Sequence, residues 1–270
     1  MVCAGQPFRP LLNITLHLLQ VFEAGEEVYR YSLATGNQLS EMHMLLADMK
    51  GMQHGALSMA LASTANTFVR TLPGEFNKRH KGITVDIEVT NRENLLQALA
   101  ANTTDFAIMG KPPEGLELEA HPFMPNPLVM LAAPDHPLAG RTHIPLTELA
   151  GETFIMRERG SGTRAARERF FSEHGGTAFG KTMEMNGNEA IKQAVQAGLG
   201  LGVLSIHTME VELMLKRLVV LNVEGFPIMR HWYIVHRQGK RFSTIAQGFK
   251  EFVTTEAQSL LRVPSAEHAA

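Results

Sequence analysis

The 270-residue sequence has a single cysteine, Cys3, so no disulfide bond can form within the chain, as is typical of proteins from a reducing compartment. It also has no run of about 18 consecutive apolar residues, and no membrane-spanning helix is predicted. Basic residues are not in excess, with 25 Lys and Arg against 27 Asp and Glu. This balance argues against a protein that coats nucleic acid, so any DNA contact would need a local patch or a separate segment.

Metal and catalytic motifs are equally scarce. None of the twelve histidines falls into an HExxH or a Cys/His pattern, so we interpret them as surface or core residues and predict no metal site. The sequence has no GxSxG turn, no phosphate-loop lysine after Gly160 and Gly162, and no Cys–His nucleophile pair. These absences argue against an enzyme, and no cofactor is predicted.

An apolar stretch at residues 11–22 follows Arg9 and superficially resembles a signal peptide. Asn13, His17 and Gln20 interrupt the stretch, and residues 22–24 (Phe-Glu-Ala) do not form a small-x-small cleavage site. The sequence therefore favours a cytoplasmic protein over an exported one.

Residues 25–52 carry an apolar seam. Val28, Thr35, Met42 and Met49 recur every seven residues, the spacing of a helix with one apolar face. Such a seam packs either on the body of its own chain or on a second copy. Because a helix outside the main domain more often does the latter, we predict a long linker helix that mediates self-association.

From residue 56 onward, strand and helix patterns alternate in two series, which predicts parallel sheets covered by helices. The predicted strands are 57–61, 83–89, 105–109, 128–133, 153–156, 182–185, 202–205, 218–222 and 231–236. The predicted helices are a stretch ending near residue 80, 92–101 capped by Asn91, 163–174, 188–197, 207–216 and a final helix containing residues 242–252. The simplest closure returns the last strand and helix to the first series. That closure makes two lobes around a cleft, with crossings near residues 126–129 and 224–231 that allow hinge motion.

Three polar turns lie where predicted strands end and helices begin, at residues 63–66, 160–163 and 186–188. Helix N-termini present unpaired N–H groups and a partial positive charge, which attract anions. Each turn taken alone is an ordinary helix cap. Three such turns that face one crevice favour a ligand-binding site.

Three arginines, at positions 157, 159 and 164, flank the second turn. They either clamp a carboxylate or phosphate of a ligand or pair with Glu158 and Glu168 on a solvated face. Nearby, the glycines at 198, 200 and 202 look like a dinucleotide-binding fingerprint. They follow a predicted helix and precede a strand, the reverse of that motif, so we interpret them as a helix stop and a tight turn.

Several segments together resemble the effector domain of LysR-type transcriptional regulators. They are residues 55–66, 72–80, 89–91, 105–110, 128–137 and 188–205. The resemblance covers residues 25–258 and is closest to the regulators of carbon-dioxide-fixation (RuBisCO) operons, the CbbR group. It implies two Rossmann-like α/β lobes of periplasmic-binding-protein type II architecture behind an N-terminal linker helix, and a role in transcriptional control.

The resemblance also implies a division of the chain. The expected parts are a remnant of the start of the DNA-binding domain (1–24), the linker and dimerisation helix (25–54), lobe I (55–127), lobe II (128–227), a return to lobe I (228–262) and a tail (263–270).

The N-terminal part departs from the family pattern. Residues 14–24 resemble the start of the family's first DNA-domain helix, and residues 23–29 resemble the start of its linker helix. The winged helix-turn-helix that separates these pieces in the family is missing here. We hypothesise an internal deletion, natural or due to a sequence error. The helix that enters the major groove would be absent, so DNA binding would require a winged helix-turn-helix supplied from elsewhere.

The resemblance further implies that a cleft between the lobes binds a small anionic metabolite, phosphorylated or nucleotide-like. The residues that would line it are Ser63, Thr64 and Asn66, with Thr90, Asn91 and Lys111 nearby, on the first lobe, and Arg157, Ser161, Thr163, Asn186 and Asn188 on the second. Binding would shift the lobe angle, and the oligomer would pass that change to the DNA arms.

Three alternatives remain open at this point. A periplasmic solute-binding protein shares the two-lobed architecture, and enzymes such as a dehydratase or a phosphoribosyl transferase use a similar scaffold. The failed signal peptide and the missing catalytic residues argue against these two. A regulator without DNA arms could also associate with intact copies and inactivate them, or be inert.

Overall fold

The computed structural model of the chain describes residues 55–174 and 181–261, together with ten residues between positions 24 and 42. All ten are helical and exposed, which agrees with the predicted helix in this part of the chain. Residues 1–23 and 262–270 lie outside the described residues, so the internal deletion and the tail stay predictions. Among the described residues, no helix combines the length and the apolar character needed to cross a bilayer.

From residue 55 onward, strands and helices alternate along the chain. The strands are β1 (Gly55–Ala62), β2 (Ile83–Thr90), β3 (Phe106–Met109), β4 (Leu118–Pro125), β5 (Leu128–Ala132), β6 (Thr153–Arg157), β7 (Lys181–Met185), β8 (Leu201–Ser205), β9 (Val219–Leu221) and β10 (His231–Arg237). The helices are α1 (Thr71–Arg79), α2 (Arg92–Ala100), α3 (Gly162–Glu173), α4 (Asn188–Gln196), α5 (Glu210–Met214) and α6 (Thr244–Leu260), with 3₁₀ turns at Leu146–Gly151 and Ile206–Thr208.

The first sheet has the strand order β2-β1-β3-β10-β4 and forms the centre of lobe I. β1 pairs in parallel with β2 and β3, whereas β10 runs antiparallel to β3 and β4. Trp232 of β10 and Phe249 of α6 are buried in one apolar cluster with Leu57 of β1 and Phe106 of β3. Lobe I is therefore built from two chain segments that are far apart in the sequence.

The second sheet has the strand order β7-β6-β8-β5-β9 and forms the centre of lobe II. All five residues of β5 are buried, as its uniformly apolar sequence predicts for a strand covered on both faces. Met130 packs in the apolar cluster on one face and Leu131 in the cluster on the other, because neighbouring strand residues point to opposite sides.

Two chain segments connect the lobes and lie side by side. The Asn126 N–H donates a hydrogen bond to the carbonyl oxygen of Arg230 at 2.7 Å. Leu128 and Ile228 exchange backbone hydrogen bonds at 3.0 and 2.9 Å. Paired connections of this kind form a hinge about which two lobes can rotate.

The sheets are mixed and not parallel as predicted, because β10 and β5 run antiparallel to their neighbours. Two elements also differ from the sequence-based expectation. No strand is predicted at β4, which contains Pro122 and Pro125. β4 is an edge strand, where a missing N–H is tolerated. The helix predicted over residues 207–216 is interrupted, and α5 begins only at Glu210. At the interruption, the Nε2 atom of the buried His207 lies 2.9 Å from the carbonyl oxygen of Pro125, the last residue of β4.

The glycines after α4 form the predicted helix stop and tight turn. Gly198 and Gly200 have φ values of +73° and +154°, where a side chain is strained. A Cβ atom on Gly200 would lie 2.3 Å from the carbonyl oxygen of Thr153. Gly200 therefore allows the chain to pass close to β6, and the interpretation of these glycines as a helix stop and tight turn is confirmed.

Candidate ligand-binding cleft

A small cavity lies between the lobes, beside the two connections. Lobe I lines it with the ends of β1, β2 and β3, and lobe II lines it with the end of β6 and the start of α3. The carboxyl ends of parallel strands are where open α/β sheets bind ligands. The cavity measures about 30 Å³, room for about one water molecule, so the lobes are closed on each other in this conformation.

Most of the residues predicted to bind a ligand line this cavity. They are Ser63, Thr64, Thr90, Asn91, Arg157, Ser161 and Thr163. The local folding explains several of these positions. Asn91 caps α2 by accepting a hydrogen bond from the Asn94 N–H at 2.9 Å, and Ser161 is the residue before the first turn of α3. The first two polar turns therefore come together as expected, one from each lobe.

Four predicted residues lie outside the lining, namely Asn66, Lys111, Asn186 and Asn188. Asn66 Oδ1 accepts a hydrogen bond from Arg70 Nε at 2.9 Å, and the Asn186 side chain is exposed. Lys111 is exposed, pairs with Glu114 at 3.2 Å and borders a larger neighbouring cavity. Asn188 accepts a hydrogen bond from Arg157, so the third polar turn reaches the cavity only through that arginine.

Three hydroxyl groups in the cavity, each on a buried residue, have no hydrogen-bond partner among the described residues. They belong to Thr64, Ser161 and Thr163, whose exposed fractions are 7%, 6% and 5%. The three oxygens are not fully buried, because they face the open space of the cavity. The three groups are therefore available as donors to a ligand in the cleft.

Two further polar groups of the cavity are not identified by sequence reasoning. Asn126 Oδ1 and Trp232 Nε1 are buried, line the cavity and have no hydrogen-bond partner among the described residues. Asn126 lies in the first connection and Trp232 directly follows the second. The only sequence signals are that Asn126 stands between two prolines and that Trp232 is the sole tryptophan of the chain. They add one acceptor and one donor to the site.

Arg157, at the end of β6, bridges the two lobes. Its guanidinium donates hydrogen bonds to both carboxylate oxygens of Glu158 at 2.7 and 2.6 Å, and to Ser63 Oγ across the cleft at 3.1 Å. Burial alone would raise the pKa of Glu158, but hydrogen bonds from Arg157 and from the Gly187 N–H hold it below the ordinary value. The charged Arg157–Glu158 pair therefore fixes the closed arrangement at Ser63.

Arg159 and Arg164, the other two arginines that flank the turn at residues 160–163, do not line the cavity. Arg164 pairs with Glu168 at 2.8 Å and also with Glu184, while Arg159 is exposed. For Arg157 and Arg164, pairing within the protein is thus the interpretation that the structure supports.

The electrostatics of the cavity nevertheless favour an anion. The described residues that line the cavity include Arg92 and Arg230 but no acidic residue. The N-terminus of α3 contributes a partial positive charge at Ser161 and Gly162. Neither Arg92 nor Arg230 was singled out by the sequence pattern, because each reaches the cavity through the tertiary fold.

A cluster of potential metal ligands lies elsewhere in lobe I. Glu119 and His121 of β4 and His236 of β10 bring ligand atoms within 4.8 Å of one another. The Lys250 ammonium lies 3.0 Å from His236 Nε2. Burial lowers the pKa of both histidines, and Lys250 acts in the same direction. His121 Nε2 has no hydrogen-bond partner among the described residues, and we assign no metal to this cluster.

Comparisons with known proteins identify the family. Residues 50–258 match the family model described as the LysR substrate binding domain. The chain is 55% identical over 235 residues to the RuBisCO operon transcriptional regulator of Allochromatium vinosum, which covers 87% of this chain and 78% of the relative. It is 40% identical over 256 residues to the transcriptional activator CmpR of Synechocystis, and this match covers 94% of this chain and 84% of the relative.

Solved structures agree with this assignment. The CcmR regulatory domain of Synechocystis PCC6803, solved in complex with 2-PG, is 41% identical and has a TM-score of 0.69, covering 74% of this chain and 96% of that one. The predicted family, group and fold are thus confirmed, and the solute-binding alternative is not favoured. The chain belongs to the LysR-type transcriptional regulators, in the group of the RuBisCO-operon regulators.

Proposed function

We propose that this chain senses a small phosphorylated metabolite in the cleft between its lobes, and that this binding controls carbon-fixation genes in the cytoplasm. The observation that carries the proposal is the set of unpartnered hydroxyls that the buried residues Thr64, Ser161 and Thr163 present to the cavity at the N-terminus of α3. The 2-PG complex of the similar CcmR regulatory domain supports an anionic ligand. The described residues that line the cleft offer hydrogen-bond donors and no nucleophile paired with a base, which supports a binding function.

The ligand's anionic group accepts hydrogen bonds from these hydroxyls and from the first N–H groups of α3. Its remaining polar groups reach Asn126 Oδ1 and Trp232 Nε1. A cavity of about 30 Å³ is too small for a metabolite, so the lobes open before binding. Opening breaks the contact between Arg157 and Ser63, and the bound anion then takes the place of the Ser63 oxygen. Ligand binding is thereby coupled to the angle between the lobes.

The ligand proposal is tested by titrating the chain with 2-phosphoglycolate and measuring the heat of binding. We expect Thr163→Ala to raise Kd about tenfold, because it removes one hydrogen bond to a charged group. The matched control is Thr182→Ala, since Thr182 is exposed on β7 and lines no part of the cleft. Equal affinities of wild type and Thr163→Ala would exclude the cleft as the binding site.

We further propose that the helix before residue 55 mediates self-association. Val28 and Met42, two residues of the apolar seam, are 65% and 46% exposed in the single chain, and a second copy would cover them. Size-exclusion chromatography with light scattering is expected to give a dimer or larger oligomer. Exchange of Val28 and Met42 for Glu should shift the chain to monomer, whereas an unchanged mass would contradict this role. DNA binding then depends on a winged helix-turn-helix supplied by an intact partner.

A further inference from the structure

A second, larger cavity adjoins the cleft on the side of α3. It measures about 430 Å³, within the range of small-molecule sites. It shares Arg92, Gly162 and Arg230 with the cleft and extends along α3 past Arg169 to Glu173, the one acidic residue among the described residues that line it. In the closed conformation, this cavity has the room for a metabolite that the cleft lacks.

Three arginines converge on this cavity from three parts of the fold. Arg92 is the first residue of α2 in lobe I, Arg169 lies on α3 in lobe II, and Arg230 lies on the second connection. None of the three forms an ion pair among the described residues, and Arg230 donates through Nη1 only to the carbonyl oxygen of Gly162, at 3.2 Å. Three other arginines of lobe II, Arg141, Arg157 and Arg164, are each paired with a glutamate.

The cluster is electrostatically unfavourable on its own. Burial, reinforced by the positive charges of Arg92 and Arg169, lowers the pKa of Arg230 to about 10. Burial and Arg169 likewise lower the pKa of Arg92. A half-buried cation without a counter-charge is costly, and like charges add to that cost. A bound anion would remove both penalties.

We propose that this cavity, the arginine pocket, is a second anion site that binds a phosphate-bearing metabolite beside the cleft. An arginine guanidinium can donate two parallel hydrogen bonds to two oxygens of a phosphate group. Phe170 and Ile228 line the same cavity and give an apolar wall for the carbon skeleton. Because Arg92 and Arg169 belong to different lobes, an anion between them draws the lobes together, whereas their mutual repulsion favours opening.

The test uses pyrophosphate as the probe and isothermal titration of the whole chain in chloride buffer. Arg169→Gln is the informative variant, because Arg169 is exposed and its replacement does not disturb the core. We expect it to raise the Kd for pyrophosphate about tenfold or more. Arg217→Gln is the control, since Arg217 is exposed in lobe II and lines neither cavity.

Thr163→Ala separates this site from the cleft, because Thr163 lines only the cleft. The arginine pocket predicts that Thr163→Ala leaves the pyrophosphate affinity unchanged, and that Arg169→Gln still binds 2-phosphoglycolate in the cleft. If pyrophosphate does not bind, or if its affinity follows Thr163 and not Arg169, the second site does not exist. A loss on Arg217→Gln equal to that on Arg169→Gln would show only diffuse attraction to surface charge and would overturn the proposal.

Discussion

Glu158→Gln is expected to lower the free energy of unfolding by about 3 kcal/mol, because it leaves the buried Arg157 guanidinium without its counter-charge. The side chain of Arg157 is only 3% exposed and that of Glu158 is 21% exposed. Both carboxylate oxygens of Glu158 accept hydrogen bonds from Arg157, and one also accepts from the Gly187 N–H at 3.2 Å. Urea denaturation of wild type and variant measures the difference.

The same pair makes stability depend on pH. Since the pKa of Glu158 in the folded chain lies below its ordinary value of 4.5, its contribution is complete above that value and is lost as the pH falls through the folded-state pKa. The stability difference between wild type and Glu158→Gln should therefore be largest near about pH 7 and shrink at about pH 3. A difference that grows on acidification would contradict the charged pair.

Glu168→Gln is the matched control for Glu158→Gln. Glu168 also pairs with an arginine of lobe II, Arg164, but its side chain is 50% exposed. Exposed ion pairs contribute about 0–1 kcal/mol, so this substitution should change the stability little. If both variants lost a comparable amount of unfolding free energy, the burial of Arg157 would not explain the contribution of the Arg157–Glu158 pair to stability.

Phe249→Ala is expected to cost about 4 kcal/mol of the free energy of unfolding, the largest effect that we predict. Phe249 of α6 is fully buried, and its ring centroid lies 5.2 Å from that of Phe76 on α1 and 6.3 Å from that of Phe106 on β3. Removing the ring opens a cavity where the C-terminal helix packs on the first sheet. Fluorescence of Trp232, the sole tryptophan and a member of the same cluster, follows the unfolding of lobe I.

Phe249→Leu separates volume from the mere presence of an apolar side chain. It keeps most of the volume and should cost only about 1 kcal/mol. If Phe249→Ala were as mild as Phe249→Leu, α6 would not be an integral part of the lobe I core. The outcome also bears on ligand binding, because the sheet that α6 covers carries Ser63 and Thr64 at the end of β1.

Much of the fold could be predicted from local patterns. The uniformly apolar residues of β5 predict a central buried strand, Asn91 predicts the start of α2, and the glycines after α4 predict its end; all three predictions agree with the structure. β4 was not predicted, because two prolines are compatible with a strand only when it lies at an edge. Whether a strand lies at an edge depends on the assembled sheet, so it cannot be inferred from the eight residues of β4 alone.

The candidate site divides in the same way. The hydroxyls of Thr64, Ser161 and Thr163 could be predicted, because polar residues between a strand and a helix lie at the carboxyl edge of a sheet. Arg92, Arg169 and Arg230 could not, since their charges matter only relative to one another. The residues next to each arginine in the sequence do not reveal whether a carboxylate pairs with it in the folded chain.

The sequence by itself determined which segments become strands and helices, which turns carry hydroxyls, and that the chain resembles an effector domain, because each of these follows from the order of nearby residues. Only the tertiary structure decided that Arg157 would bridge to Ser63, that Asn126 and Trp232 would meet in the cleft, and that three unpaired arginines would gather beside it. The physical reason is that two connections distant in sequence bring the lobes together, and charge, burial and hydrogen bonding at their junction depend on distances that arise only when both lobes are folded.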